Sequence, residues 1–184
     1  MFLYASVKNF LPESYCHELL RFSLENLKLS QAEIGNKEKN LEVRDSQISF
    51  YIYDNEFPEL RKKISETASG LINLKGFNIL FREDLQFTEY KTGQFYNWHK
   101  DNNRYDKRHC SIVIQLNNQY TGGELEIIDP HKNSIVSLEK GIGNLFVFLS
   151  HLEHRVSPVL TGTRYSLVSW LYSEEKTNYK KTLI

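Results

Sequence analysis

The sequence contains little cysteine and no excess of charge of either sign. The two cysteines, Cys16 and Cys110, lack the paired spacing of a zinc site or a disulfide scaffold. We therefore expect two small buried residues in a reducing compartment. The 23 basic and 23 acidic residues balance, which disfavours a nucleic-acid binder, because such proteins carry a basic surface.

Long apolar runs are also absent. No stretch approaches the roughly 18 apolar residues of a membrane span. The first residues lack the basic and apolar regions of a signal peptide. Together these absences predict a soluble, cytoplasmic protein without a membrane or nucleic-acid partner.

The composition that remains is typical of a folded domain. Apolar residues make up 40% of the 184 residues and aromatic residues 13%, which excludes a disordered or low-complexity chain. This length predicts a single domain with its own core. We divide it into a support region of helices and strand (1–75), a strand-rich core (76–172) and a lysine-rich tail (173–184).

Two amphipathic helices are predicted in the support region. Pro12 precedes apolar residues with helical spacing up to residue 28, and proline suits the first turn of a helix. Residues 57–72 show a similar pattern. The polar segment 31–42 is interpreted as an exposed loop, and 44–53 as a strand because apolar residues alternate there. Each helix is expected to cover one face of a sheet.

From residue 77 onward the apolar pattern has a period of two, which predicts strands. Turn residues such as Thr161-Gly162 separate the strands, and no helical pattern intervenes. This succession predicts a mainly β (α+β) protein, an antiparallel sandwich or jelly roll rather than a βαβ fold. The predicted strands are 77–81, 85–91, 95–101, 109–117, 123–128, 134–138, 144–149, 153–159 and 163–172.

The residues best suited to chemistry are histidines and one aspartate. His99 and Asp101 are two residues apart at the end of a predicted strand, so both side chains point to one face and can reach one ion. A lone H-x-D tripeptide is a weak signal that also fits an exposed loop. His151 and His154 are both candidates for a third ligand, and the spacing favours His154 only modestly. Two histidines and one carboxylate hold a catalytic Fe(II) on one side and leave the other side open.

Four motifs, taken in order, resemble the prolyl 4-hydroxylase group of the 2-oxoglutarate/Fe(II) oxygenases. The outer two are Tyr90-x-x-Gly93-Gln94-x-Tyr96-x-x-His99-x-Asp101 and His154-Arg155-Val156-x-Pro158-Val159-x-x-Gly162-x-Arg164-Tyr165-Ser166. The inner two are Gly122-Gly123-Glu124-Leu125 and Gly141-x-Gly143-Asn144-Leu145-Phe146-Val147-Phe148. The resemblance covers residues 85–172, and a fainter likeness extends to the first helix and the strand at 44–52.

The resemblance implies a double-stranded β-helix, a jelly roll that opens at one end around the iron. It assigns His154 to the metal beside His99 and Asp101. It also implies that Arg164 binds the remote carboxylate of 2-oxoglutarate, because a guanidinium can pair with a carboxylate through two hydrogen bonds. Further candidates for contact with the co-substrate or substrate are Tyr90, Tyr96, Ser166 and Thr88, and candidates for the entrance are Asn97 and Trp98.

The implied cofactors are Fe(II), 2-oxoglutarate and O2, with ascorbate as a candidate addition. The implied reaction hydroxylates an unactivated C–H bond of a prolyl or other amino-acid residue and releases succinate and CO2. Asp101 favours hydroxylation, because related halogenases lack the carboxylate ligand and bind chloride instead. The alternatives are a cupin-like metal enzyme that does not use 2-oxoglutarate and a jelly-roll binding protein without catalysis.

The sequence does not decide whether the substrate is a peptide, a free amino acid or another small molecule. It also leaves both a monomer and a homodimer as alternatives. Two polar segments, 31–42 and 102–108, have no assigned role. In the second segment, Arg104, Tyr105 and Arg108 could bind an anionic or peptidic substrate, although a solvated loop is the simpler interpretation.

Overall fold

The computed structural model describes residues 3–34, 38–51, 57–72, 77–80, 83–102 and 108–175. Among these residues are two helices, α1 (Glu13–Asn26) and α2 (Pro58–Ile72). The strands are β1 (Tyr4–Val7), β2 (Ser30–Gln31), β3 (Arg44–Asp45), β4 (Gln47–Phe50), β5 (Phe77–Leu80), β6 (Gln86–Lys91), β7 (Phe95–His99), β8 (Arg108–Gln115), β9 (Tyr120–Gly122), β10 (Leu125–Asp129), β11 (Ser134–Ser137), β12 (Leu145–Leu149), β13 (His154–Val156) and β14 (Val159–Glu175).

The strands form two antiparallel sheets. The larger sheet has the order β1-β12-β8-β14-β6-β4-β2, and β5 and β9 also pair with β14. The smaller sheet has the order β11-β10-β13-β7-β3. Residues from both sheets, such as Ile112 of β8 and Ile127 of β10, belong to one buried core. This architecture is the predicted double-stranded β-helix, and the fold class is confirmed.

The burial pattern of each strand follows from what covers its faces. In β10, Leu125, Ile127 and Asp129 are buried while the residues between them are half-buried, as expected for a strand with one face on the core. In β12 all five residues are buried. A strand covered on both faces has a continuous apolar sequence, and here the second cover is helical.

Both helices contribute to the core on the side of the larger sheet. In α2, Leu60, Ile64 and Ala68 are buried at helical spacing, and the helix packs against β1 and β12. In α1, Cys16 and Leu19 are buried in the same core. The predicted packing of the N-terminal helices on one sheet is therefore confirmed.

The structure differs from the predicted elements in several places. β1 and β9 were not predicted, and β2 overlaps the segment interpreted as loop 31–42 only at Gln31. The predicted strand 44–53 is divided into β3 and β4, which belong to different sheets. The turn predicted at Thr161-Gly162 lies inside β14, because this strand changes from β9 to β6 and β8 as pairing partners there. Residues 35–37, 52–53, 81, 103–107 and 176–184 of the predicted elements, loops and tail lie outside the described residues.

Cys16 and Cys110 are buried free thiols, as predicted. Burial raises the pKa of Cys16 to about 11 and that of Cys110 to about 12, so neither is a nucleophile near neutral pH. In the described part of the chain, neither helix has the length and apolar character needed to cross a bilayer.

Candidate active site

Two paired strands of the smaller sheet bring the predicted ligands together. His99 ends β7 and His154 begins β13, and the two residues lie opposite each other in the antiparallel register. Asp101 follows β7 by two residues. One ligand atom from each of the three side chains lies within 4.8 Å of the others. Nε2 of His99 is 3.5 Å from Oδ1 of Asp101, and Nε2 of His154 is 3.5 Å from Oδ2.

Main-chain carbonyl groups hold both imidazole rings. Nδ1 of His99 is 2.8 Å from the carbonyl oxygen of Asn97, and Nδ1 of His154 is 2.9 Å from that of Leu152. A carbonyl can only accept, so each Nδ1 carries the hydrogen. Nε2 of each ring faces Asp101 and is the nitrogen that can bind a metal once it is unprotonated.

Hydrogen bonds hold both the side chain and the main chain of Asp101 in place. Its Oδ2 accepts hydrogen bonds from Ser111 Oγ (2.6 Å) and from Trp170 Nε1 (2.9 Å). Its main-chain N–H donates to the carbonyl of Ser150 (3.0 Å). Ser111 Oγ is also 2.9 Å from Ser150 Oγ. These contacts fix the direction of the carboxylate toward the two histidines.

The cluster favours an ionised carboxylate. Burial alone acts to raise the pKa of Asp101, but the charge and hydrogen bonds of His154 and His99 hold it well below its usual range. Burial and the neighbouring His154 lower the pKa of His99, which favours its neutral form. An ionised carboxylate with two imidazole nitrogens is a donor set that fits Fe(II), and these residues can hold that ion.

Arg164 is the most unusual residue near the cluster. It lies on β14 and is only 1% exposed. Nη1 donates to Ser166 Oγ at 2.9 Å, whereas Nε and Nη2 are buried without a hydrogen-bond partner among the residues that the structure describes. Its Cζ lies 5.4 Å from the ring centre of Tyr90. A buried guanidinium with free donors is costly unless an anion completes its contacts.

One cavity of about 550 Å³ joins these groups. Both sheets line it, and its wall includes the three clustered residues together with Tyr90, Tyr96, Arg164 and Ser166. Tyr96 stacks on the His99 ring with 3.5 Å between ring centres. The structure therefore brings the three predicted metal ligands into one cavity with the predicted co-substrate residues Arg164, Tyr90, Tyr96 and Ser166.

Other candidates lie elsewhere. Thr88 is buried, accepts a hydrogen bond from Gln86 and does not line the cavity. Trp98 lies under the Arg155 guanidinium at 4.6 Å and is also absent from the cavity wall. His151 is exposed.

In the second polar segment, Arg108 lines the cavity but forms a bidentate pair with Glu83 at 2.8 and 2.6 Å. It also stacks on Trp170, with 3.9 Å from Cζ to the ring centre. Arg104 and Tyr105 lie outside the described residues. The predicted role of Arg108 in binding an anion is therefore weakened, because its charge already has a partner.

The sequence interpretation missed Ser111, Trp170 and Arg44. A signal for Trp170 was present, because residues two apart on a strand share a face. Four alternate residues of β14 line the cavity: Arg164, Ser166, Val168 and Trp170. Ser111 and Arg44 carry no comparable local signal, since they reach the site only through strand pairing.

A double-stranded β-helix with two histidines and one carboxylate around an internal cavity is the arrangement of the non-haem Fe(II) oxygenases. Comparison with known proteins agrees. Residues 85–172 match the sequence model of the 2OG-Fe(II) oxygenase superfamily. The resemblance inferred from the four motifs is confirmed.

Curated relatives are PKHD-type hydroxylases of bacteria. One from Idiomarina loihiensis is 31% identical over 99 residues, which is 51% of this chain and 44% of the relative. One from a Synechococcus strain is 28% identical over 135 residues, 68% of this chain and 60% of the relative. The chain spans about half the length of the curated relatives it matches.

Solved structures extend the similarity to most of the chain. A Pseudomonas putida prolyl-4-hydroxylase superposes with a TM-score of 0.73 and 25% identity, covering 92% of both chains. A Trichoplax adhaerens prolyl hydroxylase superposes with a TM-score of 0.77 and 24% identity. That alignment covers 92% of this chain and 83% of the other. The Trichoplax protein was solved in complex with a peptide fragment of the hypoxia inducible factor oxygen degradation domain.

Proposed function

We propose that this protein is an Fe(II)- and 2-oxoglutarate-dependent hydroxylase. The observation that carries the proposal is Arg164, a buried guanidinium in the cavity that also holds His99, Asp101 and His154. Two of its nitrogens have no hydrogen-bond partner in the described part of the chain. The cluster accounts for the metal, and the arginine accounts for a second, anionic ligand in the same space. The match of residues 85–172 to the 2OG-Fe(II) oxygenase superfamily model supports both assignments.

His99, Asp101 and His154 are proposed as the metal ligands. Arg164 is proposed to bind the remote carboxylate of 2-oxoglutarate, with Ser166 orienting the guanidinium and Tyr90 beside it. Bound Fe(II) and 2-oxoglutarate would supply oxidation of a C–H bond by O2, with release of succinate and CO2. The chain itself orients these groups and surrounds them with apolar side chains such as Phe148 and Val156, which limit access of water.

The substrate is proposed to be a prolyl or other amino-acid residue of a peptide, or a small molecule of similar chemistry. The Pseudomonas putida prolyl-4-hydroxylase, whose chain is matched over 92% of its length, supports this class. The site residues, the single-domain organisation, a cytoplasmic location and either a monomeric or a homodimeric state remain predictions.

Anaerobic titration tests the proposal directly. Adding Fe(II) and then 2-oxoglutarate to the protein should produce a metal-to-ligand charge-transfer band, and His99→Ala and Asp101→Ala should abolish it. A protein that binds metal without this band would be a metal enzyme that does not use 2-oxoglutarate. A protein that binds neither would be a jelly-roll binding protein.

Arg164→Ala should weaken 2-oxoglutarate binding by at least tenfold and leave Fe(II) binding within a few-fold of wild type. The physical reason is that charge-assisted hydrogen bonds contribute roughly 1.5–3 kcal/mol, and about 1.4 kcal/mol equals a tenfold change. Arg21→Ala, on the exposed face of α1, is the matched control. Equal losses of iron and 2-oxoglutarate binding would contradict the assignment.

A further inference from the structure

Arg44 is a second buried arginine in the cavity wall, and neither the fold nor the proposed co-substrate site accounts for it. It is 8% exposed and lines the same cavity as the metal cluster. It lies on β3 directly opposite Tyr96 of β7, and residues opposite each other on paired strands share a face. Its guanidinium therefore stacks on the Tyr96 ring, with Cζ 4.6 Å from the ring centre.

Protein groups use only part of the hydrogen-bonding capacity of the Arg44 guanidinium. Nε donates to Ser46 Oγ at 3.1 Å, and Nη1 donates to the main-chain carbonyl of Glu33 at 3.1 Å. Within the described ranges, Nη2 has no hydrogen-bond partner and the guanidinium has no carboxylate partner. The neighbouring Asp45 accepts from Gln94 Nε2 at 2.8 Å instead, because adjacent strand residues point to opposite faces.

Arg44 differs from the other cationic side chains of the cavity wall in its charge partners and its exposure. Arg108 is paired with Glu83, and Lys100 is exposed to solvent. Arg164 is assigned to the co-substrate. Nη2 of Arg44 is not among the fully buried polar atoms, so it is open to the cavity that this residue lines. Two neutral acceptors and one aromatic ring leave the charge of the guanidinium without an anion. The site is therefore built to gain from an anion that enters the cavity.

The position of Arg44 in the cavity wall indicates where such an anion would bind. The Tyr96 ring contacts both the Arg44 guanidinium and the His99 imidazole, so Arg44 lies one ring contact away from the metal cluster. Ile48 and the partly exposed Phe50 line the cavity as well. A planar cation one ring contact away from the metal cluster, in a cavity that apolar side chains also line, suits a carboxylate carried close to an apolar group.

We propose that Arg44 binds a carboxylate of the substrate and so selects anionic over neutral substrates. The inference rests on the proposed hydroxylase function, whose substrate class it narrows. The carboxylate comes either from an acidic side chain next to the hydroxylated residue of a peptide or from the free α-carboxylate of an amino acid. Both sources present the same planar, bidentate group to the guanidinium.

The test compares acid and amide versions of the same probe on the protein loaded anaerobically with Fe(II) and 2-oxoglutarate. The peptide arm uses acetylated, amidated pentapeptides with a central proline and either Glu or Gln at each flanking position. The amino-acid arm uses free proline against prolinamide. Binding is measured by isothermal titration calorimetry, and turnover by succinate released above the rate without probe.

In at least one arm the acid version should bind about tenfold tighter than its amide, and Arg44→Gln should reduce this ratio to within threefold. Arg44→Lys should retain part of the preference, because it keeps the charge. Arg155→Gln, outside the cavity, should leave the ratio unchanged. The ratio is measured within each protein, so a uniform loss of binding does not change it.

Several outcomes would overturn the proposal. Equal binding of acid and amide, or no binding of any probe to a protein that shows the charge-transfer band, would reject Arg44 as a carboxylate site. A uniform loss for both versions in Arg44→Gln would show that Arg44 only supports Tyr96 and the main chain at Glu33. Absence of the charge-transfer band in the wild-type protein would instead reject the proposed hydroxylase function.

Discussion

At the scale of single residues, the direction of Asp101 depends on partners that lie far from it in sequence. Ser111 and Trp170 both donate to the same oxygen, Oδ2. Without these donors the carboxylate could rotate away from the histidines. Contacts that orient a metal ligand commonly change metal affinity 10- to 100-fold.

Ser111→Ala should therefore weaken Fe(II) binding by roughly 10-fold or more while the protein stays folded. Anaerobic titration with Fe(II), or with Co(II) as a spectroscopic substitute, measures the change. Ser169→Ala is the matched control, because Ser169 is also buried but its Oγ has no hydrogen-bond partner within the described ranges. Equal effects of the two substitutions would show that Ser111 does not orient the ligand.

At the scale of secondary-structure elements, strand pairing assembles the site. The antiparallel pairing of β7 with β13 places His99 opposite His154, although 55 positions separate them in sequence. β14 brings Arg164 and Trp170 to the cavity from the other sheet while it pairs with β6 and β8. Neither pairing follows from the local period of two, which indicates a strand but not its neighbour.

The entry of the chain into α1 depends on one glycine. Gly143 precedes β12 with a φ of +75°, and a Cβ there would lie 2.0 Å from the carbonyl oxygen of Leu11. The Leu11 N–H donates to the carbonyl of Gly143 at 3.1 Å, which ties the segment before α1 to the larger sheet. A side chain at this position would have to separate the two segments.

Gly143→Ala should lower the free energy of unfolding by about 2–4 kcal/mol, because it combines an unfavourable backbone conformation with a steric clash. Gly70→Ala is the control, since Gly70 is exposed in α2 and a Cβ there meets nothing within 4 Å. That substitution should stabilise the protein by roughly 0.5–1 kcal/mol through helix propensity. Urea unfolding followed by circular dichroism measures both, and similar effects would contradict the close approach of Leu11.

At the scale of the whole molecule, residues from both sheets line one cavity. The cluster lies on the smaller sheet, whereas Arg164, Ser111 and Trp170 lie on the larger one. Ligands that bind this cavity therefore contact both sheets. Binding only to the folded state raises stability by mass action, about 2.7 kcal/mol at a ligand concentration 100 times the dissociation constant.

Saturating Fe(II) and 2-oxoglutarate, added without oxygen, should raise the Tm by roughly 5–10 °C in a protein of this size. His154→Ala should lose this shift, because it removes a proposed ligand. His151→Ala should keep it, since His151 is exposed and lies outside the cluster. Differential scanning fluorimetry of loaded and unloaded samples gives the comparison, and the reverse pattern would assign the third ligand to His151.

The sequence by itself determined the strand-rich core, the two helices and the shared face of His99 and Asp101, because periods of two and 3.6 are local properties of the chain. Its motifs also pointed to His154 and Arg164. Only the tertiary structure decided which strands pair, and with them the contacts of Asp101 with Ser111 and Trp170. It alone revealed Arg44, which belongs to a two-residue strand and meets Tyr96 across the sheet. These contacts join residues distant in sequence, and no local pattern encodes them.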